Sequence, residues 1–121
     1  MITCIAIDDD PLFLHSLKAH FSEYEDLELV ATFQNPVNGI MKVVKFKPDI
    51  LLLDLEMQYL DGFEALDSLD KKPKVIMISA HVNQPVKAKR IKIDKYLRKM
   101  QIDGPFLRKA ILEVMSQTSI S

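Results

Sequence analysis

The stretch Ile50-Leu51-Leu52-Leu53-Asp54 is an unbroken apolar run that ends on an acid. Without alternation and at this length, it fits a strand buried on both faces, as in a parallel sheet. A second run, Ile5-Ala6-Ile7, ends on three acids, Asp8, Asp9 and Asp10. In an open parallel sheet, ligands bind beyond the carboxyl ends of the strands. Carboxylates gathered at that edge repel one another, and a hard divalent cation relieves the repulsion. Mg²⁺ takes one or two carboxylates, keeps several waters and bridges to phosphate oxygens. The pattern points to phosphoryl chemistry on Asp54.

The chain around these runs has 121 residues, which suits one compact domain. It is 48% hydrophobic and 27% charged, an ordinary globular mixture that can bury a core without disulfides or structural zinc. A net charge of −1 gives no reason to expect nucleic-acid binding by the domain. The single cysteine, Cys4, excludes an internal disulfide and fits a reduced, cytoplasmic setting. Met1 leads directly into the first strand, which argues against secretion. No apolar run approaches the roughly 18–20 residues that cross a bilayer, so no membrane association is expected.

Strand and helix alternate along the chain. Ile2 to Ile7 is the first strand, and Asp10-Pro11 reads as an N-cap with a first-turn proline. Leu12, Leu14, Leu17 and Phe21 predict a helix from Pro11 to about Ser22. Leu27 to Phe33 is the second strand, followed by a turn at Asn35-Pro36. Val37, Ile40, Met41, Val44 and Lys45 predict a helix with an apolar stripe, stopped by Lys47-Pro48-Asp49. After the third strand, Gly62 breaks the chain, and Phe63, Leu66 and Leu69 mark a short helix. Val75 to Ser79 is the fourth strand. A short fourth helix is expected in the basic segment from His81 to Ile93, and Lys95 to Arg98 is the fifth strand. Phe106, Leu107, Ala110, Ile111, Val114 and Met115 give the clearest amphipathic helix. The alternation predicts an α/β fold, a parallel sheet with helices on both faces and right-handed crossovers. Residues 1–116 are expected to form the domain, with 117–121 a polar tail or the start of a linker to an absent output domain.

The chemistry-bearing residues fall at successive strand ends. A helix cap needs only Asp10, which leaves Asp8 and Asp9 as candidate metal ligands. Asp54 could cap a turn, but beside those acids it reads as a nucleophile that forms an aspartyl-phosphate. Ser79 ends the fourth strand, where a hydroxyl can donate to a phosphoryl oxygen. Lys99 follows the fifth, where an ammonium can pair with that group or with the acceptor carboxylate. Either alone is explained as a strand-end serine or a solvated lysine. Their convergence with three carboxylates is hard to obtain from a purely structural sheet.

These residues resemble the receiver domain of a two-component response regulator. The carriers are Ile7-Asp8-Asp9-Asp10-Pro11, Leu53-Asp54-Leu55-Glu56-Met57 with Asp61-Gly62, Ile78-Ser79-Ala80 and Tyr96-Leu97-Arg98-Lys99. The resemblance implies a flavodoxin-like (βα)5 doubly wound sheet with strand order 2-1-3-4-5. It implies that Asp54 accepts a phosphoryl group from the phosphohistidine of a sensor histidine kinase or phosphotransfer protein. Asp8, Asp9 and Asp54, with the backbone carbonyl of Glu56, would hold Mg²⁺. Ser79 would swing toward the phosphoryl group, Tyr96 would change rotamer with it, and Lys99 would contact it. The changed face would be the fourth helix, fifth strand and fifth helix, acting on an output domain, a downstream protein or a second copy. Phosphate would then be lost by slow self-hydrolysis. Overall likeness extends to transcriptional regulators of the LytTR class.

The chain also departs from the family pattern. Gln58 stands where most receivers have a proline four residues after the acceptor. Met100 replaces the proline after the strand-five lysine, whose preceding peptide is usually cis. A cis bond before Met100 would cost about 2.5–4 kcal/mol, so trans is expected. Glu56 and His81, each two residues beyond a strand-end site residue, are candidates for tuning phosphoryl hydrolysis. His15, His20 and Cys4 read as surface or core residues. Two other functions fit parts of the pattern. One is an atypical receiver that binds partners without phosphorylation. The other is a Mg²⁺ phosphohydrolase on small substrates, for which Glu56 is suitably spaced but material for a cap is missing. An enzyme acting on an external substrate is therefore not expected.

Overall fold

The computed structural model describes residues 1–54, 69–80 and 92–117. Five strands are present: β1 (Ile2–Ile7), β2 (Leu27–Phe33), β3 (Ile50–Asp54), β4 (Lys74–Ser79) and β5 (Lys95–Arg98). All pairings are parallel and the order is β2-β1-β3-β4-β5. The described helices are α1 (Pro11–Ser22), α2 (Pro36–Phe46) and α3 (Gly104–Ser116), the last being the amphipathic helix read near the end of the sequence. This is the flavodoxin-like doubly wound arrangement that the sequence predicts. The helix expected around Phe63 and Leu66 and most of the one expected from His81 lie outside the described residues.

Alternating residues of the strands feed two cores. Cys4, Ala6, Ile50, Leu52, Ile76 and Ile78 pack with α1 and α3 on one face of the sheet. Ile5, Ile7, Leu51, Leu53 and Met77 pack with Ile40 and Val43 of α2 on the other. Every residue of β3 is buried, which explains its unbroken apolar run.

Each described helix begins as its sequence dictates. The Asp10 carboxylate accepts from the Leu12 N–H at 3.0 Å, and Pro11 occupies the first turn. Asn35 accepts from Val37 and Asn38, and Asp103 accepts from Phe106. Lys47 ends α2 in the left-handed region, with φ 58°, and its N–H returns to the Val43 carbonyl.

The expected stripe of α2 is corrected in part. Gly39, Ile40 and Val43 face the sheet, whereas Val37, Met41 and Val44 are exposed. A Cβ on Gly39 would meet Ile7 Cδ1 at 2.5 Å, so this glycine lets the helix approach the sheet closely and sets which face turns inward. Similarly, Leu12 of α1 is exposed while Leu14, Leu17 and Phe21 are buried.

Candidate functional site

Strand register brings the strand-end residues to one edge. Ile7 pairs with Leu53, Asp54 with Ile78, and Ser79 with Arg98. One residue beyond these pairs lie Asp8 after β1 and Lys99 after β5. Asp8 and Asp54 are each 2% exposed and Ser79 is 7% exposed, so three polar groups sit within an otherwise apolar interior. Burial of this kind is costly unless the charges are compensated.

Asp8, Asp9 and Asp54 each offer a carboxylate oxygen, and these oxygens lie within 4.8 Å of one another. Asp9 is exposed, which leaves the cluster open on its side. Asp10, the third acid of the run, is taken up by the α1 cap, as the sequence implied. Its backbone N–H donates to Asp8 Oδ1 at 2.8 Å and fixes that carboxylate.

Lys99 supplies the compensating charge. Its ammonium lies 2.9 Å from Asp8 Oδ2 and 3.7 Å from Asp54 Oδ2. Its hydrogen bond is directed at Asp8 Oδ1, at 3.2 Å. The nearer oxygen, Oδ2, is thus held by charge alone; it is buried and accepts no hydrogen bond among the described residues. Burial pushes the Lys99 pKa down, but the Asp8 hydrogen bond and the charges of Asp54, Asp8 and Asp10 outweigh it, so the ammonium is held above its ordinary range.

A buried carboxylate oxygen with an open lone pair, beside two more carboxylates, is a hard oxygen donor set. It fits a small divalent cation such as Mg²⁺ better than a soft metal. Lys99 opens a short 3₁₀ turn, Lys99–Gln101. No cis peptide occurs among the described residues, so the Lys99–Met100 bond is trans, as expected, and Met100 is exposed. Tyr96 on β5 is 39% exposed, so its ring is turned at least partly to solvent. Glu56, Gln58 and His81 lie outside the described residues.

One contact was not foreseen. Phe13, in the first turn of α1, places its ring 4.8 Å from the Lys99 ammonium. An aromatic residue one helical turn past a cluster of strand-end acids is the only hint the sequence offers of it.

Comparison with known proteins bears on the family and the fold. The chain is 32% identical over 121 aligned residues to the transcriptional regulatory protein BtsR of Escherichia coli K12, covering 98% of this chain and 50% of BtsR. The chain therefore spans about half the length of the curated relatives it matches. The signal receiver domain of the putative response regulator NarL from Mycobacterium tuberculosis superposes with a TM-score of 0.81 at 24% identity, covering 96% of this chain and 98% of that one. A chain in the crystal structure of the complex between the P1 domain of CheA3 and CheY6 from R. sphaeroides superposes with a TM-score of 0.80 at 22% identity, covering 96% of this chain and 98% of that one. At such identities the superpositions speak for the fold. The family model described as the response regulator receiver domain matches residues 4–112, and the chain belongs to that family.

Proposed function

We propose that this receiver domain is a phosphoacceptor in a two-component system, with Asp54 as the accepting residue. The observation that carries the reading is the buried Asp54 carboxylate held beside Asp8 and Asp9, with the Lys99 ammonium between two of the three. The donor is a phosphohistidine of a sensor histidine kinase or phosphotransfer protein. An Asp54 oxygen attacks phosphorus, the P–O bond forms, the P–N bond breaks and its electron pair stays on the imidazole. Asp8, Asp9 and Asp54 would hold Mg²⁺, with the Glu56 carbonyl as a further ligand. When bound, the ion neutralises phosphoryl oxygens and offsets carboxylate repulsion.

The remaining residues orient and switch. Lys99, held charged by its neighbours, meets a phosphoryl oxygen once Asp54 is modified. Ser79 donates its hydroxyl to another, and Tyr96 turns inward from its half-exposed position as Ser79 moves. The phosphoryl group thus stabilises one of two arrangements, and the altered face includes β5 and α3. Glu56 and His81 tune the return step, in which water attacks phosphorus, the Asp54 P–O bond breaks, inorganic phosphate leaves and the water proton passes to solvent. The domain acts on no external substrate. Its extent is 1–116, with 117–121 leading toward an output domain or a downstream protein, in a cytoplasmic regulator that works on transcription; BtsR's description supports that last point. Dimerisation accompanies phosphorylation. Among the described residues no helix is long and apolar enough to cross a membrane.

Intact mass after incubation with acetyl phosphate and Mg²⁺ tests the reading. A single adduct of about 80 Da, absent without Mg²⁺ and absent in Asp54→Asn, is expected. No adduct, under conditions that modify another receiver, would instead favour a domain that binds partners without phosphorylation.

A further inference from the structure

Lys99 has little local reason to hold its place. It opens a short 3₁₀ turn that has no side-chain cap, and an exposed Met100 follows it. A lysine stem has four rotatable bonds, and fixing it costs rotamer entropy. Yet the ammonium is confined to one point, against Asp8 and Asp54 and 4.8 Å over the Phe13 ring. Phe13 is itself anchored, packing against the core shared by α1 and α3. The negative face of an aromatic ring attracts a cation without taking up its hydrogen-bond donors. A carboxylate in that position would bind the same ammonium more strongly and compete with Asp54 for it.

We propose that Phe13 is a positioning residue for the phosphoacceptor site, its ring steadying the Lys99 ammonium at the carboxylate cluster where the phosphoryl group arrives. This rests on the phosphoacceptor reading of Asp54. Phe13 touches no reacting atom and acts through Lys99. Two consequences pull in opposite directions. Without the ring, Lys99 is less often in place to meet the phosphoryl group, so transfer slows. The ammonium also competes less with a divalent cation for Asp8, so Mg²⁺ binds more tightly. A merely loosened fold would weaken both.

The test uses the full chain as wild type, Phe13→Leu and Phe13→Tyr, with Mg²⁺ and acetyl phosphate as probes. The expected result for Phe13→Leu is a phosphorylation rate about three- to tenfold lower at saturating Mg²⁺ and a lower Mg²⁺ Kd by calorimetry. Phe13→Tyr, which keeps the ring, restores both. In a Lys99→Met background, Phe13→Leu leaves the Mg²⁺ Kd unchanged. By NMR, the Lys99 ε-methylene protons are shifted upfield by the ring in wild type and return to ordinary values in Phe13→Leu. Equal losses in Phe13→Leu and Phe13→Tyr, a weaker Mg²⁺ affinity in Phe13→Leu, or unshifted Lys99 protons in wild type would each overturn the proposal. A wild-type chain that takes up no phosphoryl group overturns the phosphoacceptor reading first, and the positioning role with it.

Discussion

Lys99→Met should destabilise the Mg²⁺-free domain sharply and make its stability depend on the ion. The substitution keeps most of the stem and removes only the charge. At an effective dielectric of about 20, a unit charge 2.9 Å from Asp8 Oδ2 is worth about 6 kcal/mol and one 3.7 Å from Asp54 Oδ2 about 4.5 kcal/mol, both gross. The desolvation of a largely buried ammonium offsets much of this. Removing one partner of a buried ion pair costs about 3–5 kcal/mol, because the remaining charge is left uncompensated. We take about 3 kcal/mol, since Asp9 is exposed and water reaches that side of the cluster. For a chain of this length that is a fall of roughly 10–15 °C in Tm. Mg²⁺ at a hundred times its Kd adds about 2.7 kcal/mol to any form that binds it only when folded. The variant, lacking the Lys99 charge beside these carboxylates, should bind Mg²⁺ more tightly than wild type and recover most of its loss. Thermal unfolding in EDTA and across a Mg²⁺ titration reads both quantities. A fall in EDTA of less than about 3 °C, or equal Mg²⁺ shifts in the two proteins, would refute the reasoning.

Other expectations follow from single contacts. Gly39→Ala gains about 1 kcal/mol of helix propensity, but its methyl would lie 2.5–2.6 Å from Ile7 and 3.3 Å from Phe33, and overpacking costs about 1–3 kcal/mol. Urea unfolding should show a net loss of about 1 kcal/mol, and a gain would mean that α2 moves away freely. Burial pushes the Asp49 carboxyl up, yet the Thr3 N–H and Lys71 hold it below its ordinary value. Its contribution is therefore complete above about pH 4 and is lost as pH falls further. In Asp49→Asn the decline in denaturant midpoint between about pH 5 and pH 3 should be shallower than in wild type. Burial, helped by the charge of Asp49, raises the Cys4 thiol far above its ordinary range. A disulfide reagent should leave Cys4 untouched at pH 8 until the chain unfolds.

The strands and their acidic ends were legible because they depend on local pattern. Apolar runs such as Ile50 to Leu53 have one stable place in a parallel sheet, and period-two alternation then fixes which residues share a face. The Asp10 cap was legible for the same reason, since it acts two residues along; the caps made by Asn35, read only as a turn, and by Asp103 were not singled out. The inward face of α2 was not legible. Val37, Met41 and Val44 are as apolar as Ile40 and Val43, and the choice between them depends on a glycine that meets Ile7 from a distant strand. The Phe13–Lys99 contact joins opposite ends of the chain, and no spacing rule reports it. Strand order came from resemblance; alternation alone allows several orders of a parallel sheet.

The cluster is held together against its own electrostatics, and this bears on how such a site can switch. Asp8, Asp9 and Asp54 carry three negative charges, and Lys99 is the one cation in contact with them among the described residues. Among the described residues these four groups leave an excess of two negative charges, which equals what one divalent cation neutralises. Little of the carboxylates' position is owed to attraction within the cluster. It is imposed by β1 and β3, whose fully buried residues would have to leave the core for Asp8 and Asp54 to separate. A rigid apolar sheet thus maintains an unfavourable charge arrangement. Under the proposed reading, phosphate on Asp54 would change the charge that Lys99 and Ser79 face without moving the strands. The response would then fall on side chains at the rim of the site and on the turn after β5, which carries Lys99. Tyr96, half-exposed on β5, is one such rim residue, and under that reading Asp54 does not need to move at all.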